Sequence, residues 1–169
     1  MSKMSKREKT TYDNFTLSLA LFDTLPVLFF GIGMLLIAGQ FRNTLFLVGA
    51  VLCTMAGCGK VLWKILVAGA EKDILLLNRQ LRVLMPTGFL LIILGVITDR
   101  SRIHLGAILQ KMLAFPSVVF FGITVLGMIA MMIFAFKLDS TKARNNWIEQ
   151  ITNAIAQGCL VLGILSMLC

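Results

Sequence analysis

Residues 45–70 read LFLVGAVLCTMAGCGKVLWKILVAGA, an apolar run long enough to cross a bilayer that carries Lys60 and Lys64 inside it. About 20 apolar residues are enough for a helix to span roughly 30 Å of hydrocarbon. A cation within that layer costs about 2.5–3.5 kcal/mol on insertion scales, so an intramembrane lysine is expected to face protein, a carboxylate or water. The two lysines stand four residues apart and share a helical face with Ala56. The stretch therefore reads as a membrane helix whose charge is turned toward a neighbour.

Outward from it, the chain repeats the pattern. Of its 169 residues 58% are hydrophobic and only 14% charged, outside the range of soluble domains. Apolar segments at about 15–38, 45–70, 78–97, 113–136 and 148–168 alternate with short charged stretches. In lipid each must satisfy its own backbone, so the reading is an all-α polytopic membrane bundle of five transmembrane helices. It forms one domain over 15–169, behind a basic N-terminal segment, 1–14, expected in the cytoplasm. The third segment is the shortest: Val83 to Ile97 offers fifteen residues and must borrow from Ile74 onward, with Arg79 and Arg82 at the headgroups. Four spans with a re-entrant hairpin is the alternative. Residues 71–82 read as a short interfacial helix, and 98–111, with Arg100 and His104, as a helix lying on the outer surface.

The net charge of +8 is spread over helix ends rather than gathered in a stripe, which points to membrane orientation and not to nucleic acid. Lys3, Lys6, Arg7, Lys9, Lys72, Arg79, Arg82, Lys137, Lys142 and Arg144 fall on one side, and Arg42, Arg100, Arg102 and Lys111 on the other. This asymmetry predicts a multi-pass protein of the cell membrane with a cytoplasmic N-terminus and an outside C-terminus. Anionic lipid headgroups are the expected partners of the basic ends.

Depth arithmetic nominates a site. Asp23 lies eight residues in from Phe15, roughly 12 Å, and Lys60 lies nine residues in from Gly69, roughly 14 Å, so the two are expected to meet. Helix five adds Glu149, Gln150, Asn153 and Gln157 on one polar stripe at similar depth. Asp23, Lys60, Lys64, Asn153 and Gln157 are therefore read together as a pocket open to the cytoplasm. The competing reading is a locked Asp23–Lys60 ion pair, with Lys64 snorkelling outward. Pro26, Gly31 and Gly33 above Asp23 are the candidate hinge. Gly49, Cys53 and Gly57 form a small-residue stripe for close helix packing.

Nothing in the chain forms a catalytic, metal or cofactor motif. Asp99, Ser101 and His104 crowd together, but proximity alone makes no triad, and His104 reads as a headgroup contact. Three functional classes stay open: solute or ion permeation through the cytoplasm-facing pocket, placed first; nearly equal with it, a non-catalytic accessory or assembly subunit with a membrane partner or a second copy; and, well behind, a lipid-processing enzyme. The topology is checked by single cysteines introduced into a cysteine-free background: one at Arg144 is expected to react only after permeabilisation and one at Arg100 without it.

Overall fold

The computed structural model describes residues 16–41, 43–70, 72–101, 103–139 and 142–169. The basic segment 1–14 and the start of the first span at Phe15 lie outside the described residues. Eight helices are described: α1 (Leu17–Phe22), α2 (Thr24–Phe41), α3 (Thr44–Ala70), α4 (Leu75–Arg79), α5 (Leu81–Thr98), α6 (Leu105–Leu113), α7 (Ser117–Lys137) and α8 (Ala143–Leu168). Five stretches are long and apolar enough to cross a membrane: α1 with α2, α3, α4 with α5, α7, and α8. The expected all-α membrane architecture is the one observed.

Local chemistry sets the boundaries. The Thr16 hydroxyl accepts from the Leu19 N–H at 3.3 Å and caps α1. The first span breaks at Asp23, and Pro26 then sits in the first turn of α2, where a missing N–H costs nothing. The Asn43 side-chain carbonyl accepts from the Phe46 N–H at 3.2 Å and starts α3. Its amide also donates to the Gly95 carbonyl at 3.3 Å and to the Thr98 hydroxyl at 3.1 Å, joining the end of α5 to the start of α3.

That junction settles the third span. α4 and α5, parted only by the turn at Gln80, run beside α3 from Asn78 at Lys60 to Thr98 at Asn43, a stretch long and apolar enough to cross a membrane, as the five-span reading expects. Borrowing from Ile74 onward supplies the missing length through α4.

The substantial pairings among the described helices run α5 with α3, α3 with α1 and α2, α2 with α8, and α8 with α7. The spans thus stand in a row, in the order third, second, first, fifth, fourth. α3 is the most buried of the five and α7 the least, as an end helix facing lipid must be. The seams of the row are brought close by small residues. Between α3 and α5, a Cβ on Gly49 would lie 2.6 Å from the Gly88 carbonyl oxygen, and one on Gly95 would lie 2.7 Å from the Phe46 nitrogen. Between α7 and α8, a Cβ on Gly127 would lie 2.7 Å from that of Ala156, and the Thr124 hydroxyl donates to the Ala156 carbonyl at 3.1 Å. The stripe Gly49, Cys53, Gly57 divides between two partners: Gly49 and Cys53 face α5, and Gly57 meets Val27 of α2.

Gly49→Ala is expected to cost about 1–3 kcal/mol, because backbone on both sides of the seam would have to move. Gly106→Ala, with nothing within 4 Å, is expected to leave stability unchanged or slightly raised. Unfolding of the two variants in detergent checks the contrast.

Candidate functional site

For convenience the end of the row at Leu17, Ala70 and Lys137 is called the near end, and the end at Phe41, Thr98 and Leu168 the far end. The ionisable residues of the spans collect at the near end, yet they do not share one pocket.

Asp23 sits in the break between α1 and α2, and its carboxylate receives the Lys64 ammonium at 2.5 Å. Both side chains are largely buried, at 11% and 15% exposure, so each charge depends on the other. The expected partner was Lys60. The structure gives Asp23 to Lys64 instead, and Lys64 does not snorkel outward.

Lys60 turns the other way, toward α4. Its ammonium donates to the Asn78 side-chain carbonyl at 2.5 Å and lies 4.2 Å from the centre of the Trp63 ring. The Trp63 indole N–H donates to the Asp73 carboxylate at 2.8 Å, which holds the connection around Asp73 against α3. Neither Asn78 nor Asp73 was a candidate in the sequence. The segment 71–82 was read as an interfacial helix with no deeper role, and only the lone Asn within its apolar run could have signalled a partner for a buried cation.

Gln157 belongs to a third place, and Asn153 stands one turn before it on α8. Gln157 points along the α7–α8 seam, with its amide nitrogen 3.8 Å from the Met128 sulfur. The side-chain carbonyl oxygens of Gln150 and Gln157 are buried without a hydrogen-bond partner. The glycines of the candidate hinge are packed: a Cβ on Gly31 would lie 2.8 Å from Thr54 of α3, and one on Gly33 would lie 3.2 Å from Ile164 of α8. The break of the span is at Asp23, one turn before Pro26. Of the remaining interfacial candidates, Arg79, Arg82 and Arg100 are exposed at helix ends. His104 stands at the N-cap position of α6 without a side-chain capping bond, and Ser101 lies outside any helix in the turn before it.

A concave feature lies at the far end. A cavity of about 710 Å³ opens between the last turns of α2 and α8, the side of α7 at Phe121, and α6, which spans its mouth. Its walls are Leu36, Ile37, Phe41, Ala107, Ile108, Leu160, Ile164 and other apolar side chains. Only four polar residues line it, Gln40, Asp99, His104 and Lys111, each within two residues of a helix end and hence at headgroup level. The Lys111 ammonium donates to the Met167 carbonyl at 2.9 Å, which ties α6 to a terminal carbonyl of α8 that has no partner within its own helix.

The chain matches no protein-family model, and no curated protein or solved structure is significantly similar to it. The geometry alone carries the functional argument.

Removing one partner of the Asp23–Lys64 pair leaves a buried charge uncompensated. Asp23→Asn and Lys64→Met are each expected to cost on the order of 3 kcal/mol, and the double variant less than their sum. Lys60→Met in place of Lys64→Met is expected to show weaker coupling to Asp23→Asn. Double-mutant cycles by unfolding in detergent measure both.

Proposed function

We propose that this multi-pass membrane protein is a binding protein for a membrane amphiphile, holding a hydrocarbon chain in the far-end cavity with the headgroup at the mouth. The observation that carries the reading is the distribution of polarity around the cavity. A volume of about 710 Å³ is of the size that ligand sites use, and its apolar body ends in a polar rim of Gln40, Asp99, His104 and Lys111. The rim offers carboxylate, ammonium, imidazole and amide together, which suits a zwitterionic or hydroxyl-bearing headgroup. At this depth the surrounding solvent is itself made of such molecules, so entry requires no passage through water.

Permeation through a near-end pocket draws less support. Asp23 and Lys64 lie in the α1–α3 seam, Lys60 faces α4, and Gln157 faces α7, so three successive partners divide the groups that a common path would need. The enzyme reading has only the closeness of Asp99, Ser101 and His104 in sequence to rest on, and proximity alone makes no triad.

Native mass spectrometry of the protein released from mild detergent is expected to show a retained amphiphile. Ala107→Trp, at an exposed position of α6 that lines the cavity, is expected to reduce that occupancy to background while the protein stays folded. Absence of any retained amphiphile, or equal occupancy in the variant, would end this reading. Stoichiometric co-purification of another membrane protein in its place would move the role to an accessory subunit.

A further inference from the structure

The far-end cavity has a neighbour. A second hollow, of about 400 Å³, lies where α6 meets the outer face of α7, lined by Leu109 and Leu113 of α6 and by Val118, Gly122, Val125 and Leu126 of α7. Met112 and Phe121 belong to the walls of both hollows. We infer that the two are successive parts of one site for a long-chain amphiphile, whose headgroup stays at the rim while its tail leaves the cavity between Met112 and Phe121 and lies in the groove on α7. The inference rests on the amphiphile-binding reading and adds to it the length of the chain and the route of its tail.

The cavity is too shallow to take such a chain whole. Its wall on α8 runs from Leu168 to Leu160, eight rises or about 12 Å, and its wall on α2 from Phe41 to Leu36, about 8 Å. A lipid chain covers half of the roughly 30 Å core of a bilayer, about 15 Å. A chain anchored by its headgroup at Gln40, Asp99, His104 and Lys111 therefore reaches the floor before it ends. The groove supplies the missing length: from Val118 to Leu126 it follows α7 for about 12 Å toward the middle of the membrane.

The pair between the hollows is built from one fixed side chain and one adaptable one. On α7, Ser117, Thr124 and Gly127 meet α8, whereas Val118, Gly122 and Val125, at i, i+4 and i+7, line the groove. Phe121, four residues after Ser117 and three after Val118, stands on the border of the two faces. Its ring lies flat over α8, where a Cβ on Gly163 would come within 3.1 Å of it. Met112 opposes it from α6, half-buried and unbranched, and a methionine changes rotamer at little cost to fit an irregular gap. On α6, Ala107, Ile108 and Lys111 line the cavity and Leu109 and Leu113 the groove, so a tail joining the two passes beneath the helix at Met112.

The lining of the groove decides which part of the ligand it takes. All eight residues around it are apolar, so it suits hydrocarbon and offers nothing to a second headgroup. Its centre is open because Gly122 has no side chain, and a Cβ there would meet nothing within 4 Å. The glycine is not needed for close helix packing, in contrast to Gly127 five residues on, whose Cβ would lie 2.7 Å from that of Ala156.

The test is a native mass spectrometric titration of the full chain in mild detergent with decanoyl and stearoyl lysophosphatidylcholine, which share a headgroup and differ only in the length of one chain. The native protein is expected to bind both. Gly122→Trp, which fills the groove from an open position, is expected to bind the decanoyl probe as the native protein does and the stearoyl probe about tenfold more weakly, because a blocked tail must crowd into a filled cavity. Ile123→Trp, on the same helix at an exposed position outside the groove, should bind both as the native protein does. Binding of neither probe by the native protein would end the amphiphile reading itself. Binding of the decanoyl probe alone would leave that reading standing and overturn this one, and it needs no variant to fold. Equal stearoyl binding by Gly122→Trp, or loss of both probes in a folded Gly122→Trp protein, would also overturn it, the first by giving the groove to a neighbouring bilayer lipid and the second by denying it a separate role for the tail.

Discussion

Lipid tails are as apolar as leucine, so the hydrophobic effect does not push these helices together, and their association rests on how closely backbones can approach. Each seam accordingly contains residues without bulk at the contact. Gly49 against Gly88 and Gly95 against Phe46 join α3 to α5, Gly31 and Gly57 join α2 to α3, Gly33 and Gly158 join α2 to α8, and Gly127 against Ala156 joins α8 to α7. Polar contacts then fix the register: Asn43 to Gly95 and Thr98 at one seam, Asp23 to Lys64 at the next, Ser117 to Ser166 and Thr124 to Ala156 at the last. Dispersion supplies the attraction, and hydrogen bonds select one axial alignment among the many that small residues would permit.

The same geometry explains why two lysines on one helix have different fates. α3 stands between two neighbours and presents a stripe to each. Phe46, Gly49, Cys53 and Lys60 follow the side toward α4 and α5, and Ala50, Thr54, Gly57, Val61 and Lys64 follow the side toward α1 and α2. The spacing of seven from Cys53 to Lys60, and from Gly57 to Lys64, carries each small-residue contact onward into a charged one. Depth along the helix is legible in a sequence because rise per residue is constant. Azimuth is not, until the neighbours are known, and so depth alone paired Asp23 with Lys60, although the stripes pair it with Lys64. The same missing angle grouped Asn153 and Gln157 with the near-end charges when Gln157 in fact turns toward Met128.

Most of the fold was readable for a simple reason. A spanning helix must be apolar over about 20 residues, so length and composition nearly determine where each one lies. Span limits agree to within a few residues except at the start of the fifth, which begins at Ala143 because Asn146 and Trp147 are drawn into the structure against α1, with the Trp147 ring 5.4 Å from that of Phe22. Helix order is another matter, since apolar faces are nearly interchangeable in lipid. One feature did carry the order: the connections differ greatly in length. Two residues separate α2 from α3 and five separate α7 from α8, as suits adjacent antiparallel helices, but eighteen lie between Thr98 and Ser117.

That long connection links the two ends of the row. α5 and α7 follow one another in the chain yet stand farthest apart in space, so the segment between them must travel across the far ends of the intervening spans. It does so at headgroup depth, where a helix with one apolar and one polar face is the stable form, and α6 is strongly amphipathic. Having crossed, α6 contacts α7 and α8 and is bonded through Lys111 to Met167, but it lies over helix ends rather than between helices. The space beneath it is thus not filled by a partner side-chain layer, and the cavity there is a direct result of the row's order. At the near end, residues 72–80 carry no such burden: they fold back onto α3 through Asp73 and Asn78, whose polar groups accommodate Trp63 and Lys60. The apolar hollow at the far end therefore follows from one topological choice, the placement of the third and fourth spans at opposite edges.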